Sequence, residues 1–466
     1  MKQVETIIVR INEWLWGPPM MISLVGFGIL ATFYIGFPQF RKLGLGFKLT
    51  WKQIVQREED GEGSMTSFQA LSTAVAAQVG TGNIGGVASA IAAGGAGAVF
   101  WMWVTAIFGM ATIYVEAILA QKYRERKEGE LVGGPAYYLS RGLSNKGFAK
   151  LGKCLANIFA VLIIVALGFV GNAVQANSIS GVMYEAFGIN SLLLGFMIAA
   201  LAALIFIGGV NRIARFTEMI VPFMALVYII AAIAVLIMFR DMIVPVLQAI
   251  FVNAFSSRAV FGGAVGYSFQ QAIRYGVARG LFSNEAGMGS TPNSHAVANV
   301  KHPVEQGAAA MVGVFIDTLI VCTATALIVL VTGSNNSGYV GPAITMEGFR
   351  IAFGNFGAKF IAVALLFFAF TTIMAWYYFG ENNVKYLFKQ RAALKVYQVM
   401  VMTSIIVGAT SNVSLVWEFA DMFNGLMVIP NIIGLVFMIK EVKGLTKDFD
   451  QQNLSNEPLY FDYLYR

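Results

Sequence analysis

The sequence predicts an all-α polytopic membrane protein with eleven transmembrane helices, the last ten arranged as two inverted halves of five. Three observations carry this reading. The composition cannot coat a soluble globule, eleven apolar runs follow one another along the chain, and two of those runs are interrupted at matching positions. Of the 466 residues, 57% are apolar and 12% charged, whereas soluble domains carry about 45–50% apolar and about 25% charged residues. The mean hydropathy of +0.69 agrees.

The same composition excludes several functions. Cys154 and Cys322, both in apolar runs, cannot build a disulfide framework or a thiolate cluster. His295 and His302 leave no histidine metal site, so no resident cofactor is expected. The net charge of +7 reads as loop charge of a membrane protein, and no nucleic-acid partner is expected. The first apolar run begins after residue 17 and is long enough to span, so no cleavable signal peptide is expected.

A helix needs about 20 mostly apolar residues to cross the hydrocarbon core. The runs lie at 18–36, 67–94, 98–121, 154–178, 191–209, 217–239, 260–288, 307–332, 358–381, 395–411 and 413–439. They are continuous and lack strand alternation, so each is read as helix. Ahead of them, Ile7, Ile8, Ile11, Leu15 and Trp16 recur at helical spacing, which predicts a short interfacial helix. Segments 1–66 (interfacial helix, first span and loop), 67–239 (first repeat), 240–440 (second repeat) and 441–466 (tail) follow.

Loop charge sets the expected orientation. Twenty-four Lys and Arg residues fall on one side, among them Arg41, Lys42, Lys48, Lys52 and Arg57, the run from Lys122 to Lys153, and Lys440, Lys443, Lys447 and Arg466. The other side has six: Lys2, Arg10, Arg240, Arg258, Arg350 and Lys359. Basic loops stay cytoplasmic. The N-terminus is therefore expected outside and the C-terminus inside, which the odd number of spans also requires.

Span two is built from small residues: 19 of residues 67–95 are Gly, Ala, Ser or Thr. Small side chains let backbones approach, which suits the centre of a bundle. Its four glycines at 80, 82, 85 and 86 weaken helix by about 1 kcal/mol each relative to alanine. Unwound backbone at membrane depth is tolerated only beside a polar cavity, and Thr81 and Asn83 supply polar groups there. A glycine packing seam without unwinding is the competing reading.

Span seven carries Arg274, Arg279 and Glu285 with Gly276, Gly280, Gly287 and Gly289. Charges at such depth should face protein or water, unless they sit at a solvated helix end. With span one set aside, spans two and seven are first and sixth of ten. That is the pattern of an inverted repeat with its site between two broken helices, whose half-helix N-termini suit a carboxylate and whose freed carbonyls suit Na+.

Three stretches also resemble the alanine/glycine:cation symporter family. They are Val79-Gly-Thr-Gly-Asn-Ile84, the run Gly94-Gly-Ala-Gly-Ala-Val-Phe-Trp-Met-Trp103, and Arg279-Gly-Leu-Phe-Ser-Asn-Glu-Ala-Gly-Met-Gly-Ser290. The resemblance runs over essentially the whole chain, including Gly133-Gly-Pro-Ala-Tyr-Tyr138, Gly171-Asn-Ala-Val-Gln175 and Trp376-Tyr-Tyr-Phe-Gly-Glu381. It implies a LeuT-like core with one extra N-terminal helix, in the amino acid–polyamine–cation superfamily. It implies symport of a small neutral amino acid with Na+, in a bacterial or archaeal cytoplasmic membrane.

By that resemblance, Thr81, Gly82 and Asn83 meet the substrate carboxylate, Gln175 offers carbonyl and amide, and Phe282 and Trp376 close a small pocket suited to glycine and alanine. Ser283 and Asn284 are adjacent candidates. Thr371 and Thr372, with carbonyls of Ala76, Val79 and Phe368, are implied for Na+. Gln175 equally suits an interhelical hydrogen bond, the two aromatics ordinary packing, and the threonines bonds to their own backbone. Glu116, Glu381 and Asp421 sit nearer helix ends; Asp317, within span eight, is the carboxylate to watch for H+ coupling.

The favoured expectation is a Na+-coupled importer of alanine or glycine. Glutamine, serine or D-alanine as substrate, or H+ as coupling ion, are the alternatives within the class. A channel lacks its charged or carbonyl ring, and an enzyme its nucleophile–base pair or metal ligands. An amino-acid receptor without transport fits the pocket but lacks a signalling domain.

Overall fold

A computed structural model describes residues 2–56, 65–127, 129–255, 264–411, 413–455 and 459–461. The first residues of span seven, and Arg57, Arg258 and Arg466 of the loop charges, lie outside the described residues. Among the described residues the architecture is helical apart from two two-stranded ribbons. Among the described residues, eight helices are long and apolar enough to cross a membrane: Thr6–Ile35, Gly97–Lys122, Ala149–Phe187, Gly209–Met238, Pro303–Thr332, Asn355–Leu387, Arg391–Thr410 and Val416–Leu454.

The other three expected spans are helical but fall short for identifiable reasons. Span two is divided into Ser67–Gln78 and Val87–Gly94. Ser191–Phe206 is apolar but only 16 residues long. Ala264–Asn284 carries Gln270, Gln271, Arg274 and Arg279. Span two is shielded by protein: every residue of Ser67–Gln78 except Phe68 is buried, packed against Gly209–Met238, Asn355–Leu387 and Pro303–Val314. Peripheral helices show apolar faces outward, as at Ile230, Ile233 and Ile237.

The first break has local causes. A capping box at Thr66 and Gln69 starts the helix. The helix ends where Val79 leaves helical geometry (φ −85, ψ 86), and Gly82–Gly86 continues as a π-helical turn. The freed groups find partners: the Gly80 N–H donates to Asn83 Oδ1 at 2.9 Å, and Thr345 Oγ1 donates to the Ile84 carbonyl at 2.7 Å. Thr345 lies on Pro342–Phe353, a helix that occupies a stretch read from the sequence as a connection. A Cβ at Gly85 would lie 2.7 Å from Pro342 Cγ, so glycine is what lets that helix seat.

The second break lies at the C-terminal end of the glycine-punctuated stretch 276–289. Gly276 and Gly280 sit inside an unbroken helix and serve close packing: a Cβ at Gly276 would lie 2.8 Å from Trp101 Cβ. The helix ends at Asn284, and Glu285, Gly287 and Gly289 all take positive φ (56, 88 and 79). Glu116 holds this turn. Its carboxylate accepts the N–H groups of Gly287 and Gly289, both at 3.0 Å, and the Asn431 amide at 2.6 Å. Beyond the turn Ala298–Asn299 pairs in parallel with Met65–Thr66, tying the far end of the second broken segment to the start of the first.

Two further π-helical stretches, Ile164–Gly171 and Phe315–Cys322, interrupt the helices beside the breaks, and the helix Arg240–Phe255 fills another stretch read as a connection. Glu116→Ala would orphan two buried backbone N–H groups and an amide, each costing about 1–3 kcal/mol. The detergent-purified variant is expected to melt several degrees below the parent, and Glu116→Gln, which keeps one acceptor oxygen, by less. A thermal-shift measurement checks this; an unchanged midpoint for Glu116→Ala would show that the turn does not depend on it.

Candidate functional site

The first break places Thr81, Gly82 and Asn83 among side chains from three other helices. The Thr81 N–H faces Gln175 Oε1 at 3.4 Å. Gln175 lies on Asn172–Phe187, one turn beyond Gly171. A Cβ at Gly80 would stand 3.4 Å from Gln175 Oε1 and from Thr372 Cβ, and a Cβ at Gly82 3.5 Å from both Phe282 and Ser283. The break, Gln175, Thr372, Phe282 and Ser283 thus converge on one point, all buried. Thr81 Oγ1 is enclosed there with no hydrogen-bond partner among the described residues, as is Gln78 Oε1 one turn away. An unpaired buried hydroxyl is costly, and this one sits at the opening of the second half-helix, where N–H groups lack intrahelical acceptors.

Phe282 and Trp376 are held in different ways. Phe282 lies under the Arg279 guanidinium, 5.7 Å from its ring centroid, and beside Trp417 at 5.9 Å. Arg279 makes a two-pronged pair with Asp421, at 3.1 and 3.0 Å. Asp421 and Phe282 both line a cavity of about 330 Å³ that also touches Asn12 and Trp16 of the N-terminal helix. The charges of span seven therefore face protein and a cavity. Trp376 lies one turn beyond Thr372. Its ring packs on Gly171, where a Cβ would be 2.6 Å from Cζ3, and its indole N–H donates to Glu285 Oε1 at 2.7 Å.

On the other flank, Asn83 Nδ2 donates to Asp317 Oδ1 at 2.6 Å. Ser283 Oγ donates to the same carboxylate at 3.0 Å, and Thr318 Oγ1 at 2.6 Å. Asp317 is fully buried and joins residues of both broken helices. Asn284 turns elsewhere. Its side chain meets Thr318 Oγ1 at 3.3 Å and the Ala286 N–H at 3.1 Å, and its carbonyl accepts from Gln78 at 2.7 Å. It is not brought to Gln175.

The cation candidates divide in the same way. Thr372 Oγ1 lies 2.8 Å from the Ala76 carbonyl and 3.0 Å from that of Phe368, bridging the two helices. Val79, with ψ of 86, releases its carbonyl from helical alignment nearby. Thr371 instead bonds the Phe367 and Phe368 carbonyls, at 3.0 and 2.9 Å, and faces Met224 Sδ at 3.6 Å. The oxygens around Thr372 are neutral and hard, the kind that suit Na+ at an unwound helix. Sequence reasoning did not find Glu285 as the partner of Trp376; it stands in the stretch from Arg279 to Ser290, but nothing in the spacing links it to a residue 91 positions away.

Known proteins share this sequence over nearly its whole length. The profile of the sodium:alanine symporter family matches residues 1–462. The sodium/alanine symporter AgcS of Methanococcus maripaludis is 41% identical over 451 residues, covering 96% of this chain and 97% of the relative. The probable sodium/glutamine symporter GlnT of Bacillus subtilis is 40% identical over 464 residues, covering 99% and 94%. The amino-acid carrier protein AlsT of the same organism is 39% identical over 441 residues, covering 95% and 91%. With a family profile spanning nearly the whole chain and relatives of this identity aligned end to end, the protein belongs to the sodium:alanine symporter family.

Proposed function

We propose that this protein carries alanine or glycine into the cell together with Na+, by alternating access around the point where the two broken helices meet. The observation that carries the reading is the enclosed, unpartnered Thr81 hydroxyl at the start of a half-helix, facing Gln175. An amino-acid carboxylate there would receive the hydroxyl and the free N–H groups of Gly82 and Asn83, with Gln175 and Ser283 beside it. Phe282 and Trp376 would limit the side chain to about a methyl group. Na+ would sit among Thr372 Oγ1 and the carbonyls of Ala76, Val79 and Phe368, with Thr371 supporting from behind and Asn284 bracing the bundle.

The reading includes eleven spans in a LeuT-like arrangement, with repeats at 67–239 and 240–440 and an extra N-terminal span. It also places the N-terminus outside a bacterial or archaeal cytoplasmic membrane, because basic side chains gather in the loops of one face. Coupling follows when Na+ and amino acid favour the same closed state, since each then tightens binding of the other.

Proteoliposomes with an inward Na+ gradient are expected to accumulate labelled alanine, and an equal choline gradient to support none. Accumulation independent of Na+ would contradict the proposal. Gln175→Ala is expected to lower alanine uptake at least about ten-fold, the loss that follows when a buried polar contact to substrate is removed, while the protein stays monodisperse in detergent.

A second reading, H+ as coupling ion, is favoured by Asp317. Its buried carboxylate is bonded to Asn83, Ser283 and Thr318, and among the described residues no Lys or Arg forms an ion pair with it. On that reading an inward pH gradient alone drives uptake, and Asp317→Asn abolishes that component. If Na+ alone drives uptake in the parent, the H+ reading fails.

A further inference from the structure

The turn after the second broken helix contains a buried carboxylate, Glu285. It is 1% exposed and takes φ of 56, a left-handed conformation uncommon outside glycine. That backbone is held from both sides, by its own N–H to the Leu281 carbonyl at 2.9 Å and by the Met288 N–H to its carbonyl at 3.1 Å. The conformation aims the side chain back at the helix Asn355–Leu387. There Oε1 accepts the Trp376 indole N–H at 2.7 Å, and Oε2 accepts from Ser290 Oγ. Both oxygens are occupied as acceptors, so the side chain is fixed at both ends.

Trp376 is consequently held at two places. Its six-membered ring lies on Gly171, where no Cβ fits, and its N–H is tied to Glu285. An indole packed on a flat surface alone can pivot about its side-chain torsions; one whose N–H is also anchored cannot turn without leaving a buried acceptor and a buried donor unpaired. Asn293 and Asn382, bonded to each other at 2.7 Å, fix the turn that carries Ser290, because Asn293 Nδ2 also donates to the Ser290 carbonyl at 2.7 Å.

We propose that Glu285 is the positioning residue that sets substrate size: by anchoring the Trp376 indole against Gly171 it makes that wall immovable, and the site admits alanine while refusing longer side chains. This rests on the symport reading and on Trp376 lining the pocket. Glu285 does not touch the amino acid; it acts through the tryptophan. A packed wall that cannot move discriminates by about 10–200-fold per methylene, whereas one that can swing aside does not.

The test measures uptake of labelled alanine and labelled glutamine by the full-length protein in proteoliposomes, taking the ratio of the two kcat/KM values. Glu285→Gln keeps an acceptor for the indole and is expected to hold the ratio within about two-fold of the parent. Glu285→Ala frees the ring and is expected to lower the alanine:glutamine ratio at least about ten-fold. Trp376→Phe, which loses the N–H but keeps an aromatic ring, is expected to lower it as well. Adding Glu285→Ala to Trp376→Phe should change nothing further, because the two act through one contact.

A loss of both substrates in equal proportion in Glu285→Ala, or a Glu285→Gln variant as altered as the alanine one, would overturn the proposal; the latter would assign the role to charge. Should Glu285→Ala fail to give monodisperse protein, Trp376→Phe decides alone, and an unchanged ratio there also overturns it. Absence of alanine uptake by the parent would instead contradict the symport reading.

Discussion

A peptide group released from a helix at membrane depth must find another partner, because lipid offers none. The centre of this protein is organised by that constraint. Two helices stop in mid-bundle, and dedicated side chains meet the groups they release. Asn83 takes the Gly80 N–H, Thr345 the Ile84 carbonyl, and Glu116 the N–H groups of Gly287 and Gly289. The Gly287 carbonyl receives Asn431 at 2.9 Å. At the first break Thr81 Oγ1 and Gln78 Oε1 are left without a partner among the described residues. The breaks are fixed by polar side chains, Asn83 from the broken segment itself and Thr345, Glu116 and Asn431 from neighbouring helices, so on the proposed reading the ligand's place is held in position.

The neighbours approach so closely because glycine lies where elements touch the site. Gly80 admits Thr372, Gly85 admits Pro342, and Gly171 admits Trp376. Among the described residues the three π-helical stretches, at Gly82–Gly86, Ile164–Gly171 and Phe315–Cys322, all belong to segments that meet this centre. Wider turns of this kind are common where helices serve a function. On the proposed reading they are where the bundle bends as access alternates.

Much of the fold was legible in the sequence, since lipid demands contiguous apolar runs and the eleven runs are helical over nearly all their described residues. The break in span two was legible as well, because its four glycines weaken the helix at the same depth where Thr81 and Asn83 bring polar groups. The break in span seven was legible only as a glycine-punctuated stretch from Gly276 to Gly289, and the structure puts it at the C-terminal end of that stretch. Gly276 and Gly280 looked like helix breakers but pack against Gly97–Lys122, and only the tertiary neighbour distinguishes the two uses of glycine. Helices Arg240–Phe255 and Pro342–Phe353 passed as connections because neither has the length of a span. Of the site, Phe282 and Trp376 were singled out by resemblance alone; no pattern marks them among 37 phenylalanines and seven tryptophans. The links from Asn83 to Asp317 and from Trp376 to Glu285 join residues 234 and 91 positions apart, beyond the reach of any local periodicity.

The central claim is that one broken-helix centre binds amino acid and Na+ interdependently. Its most direct test is equilibrium binding of alanine to the purified protein across a Na+ titration at constant ionic strength, for the parent and for Thr372→Val. The account predicts that alanine affinity rises with Na+ in the parent, and that far more Na+ is needed in the variant. An alanine affinity that is the same in Na+ and in choline would contradict it.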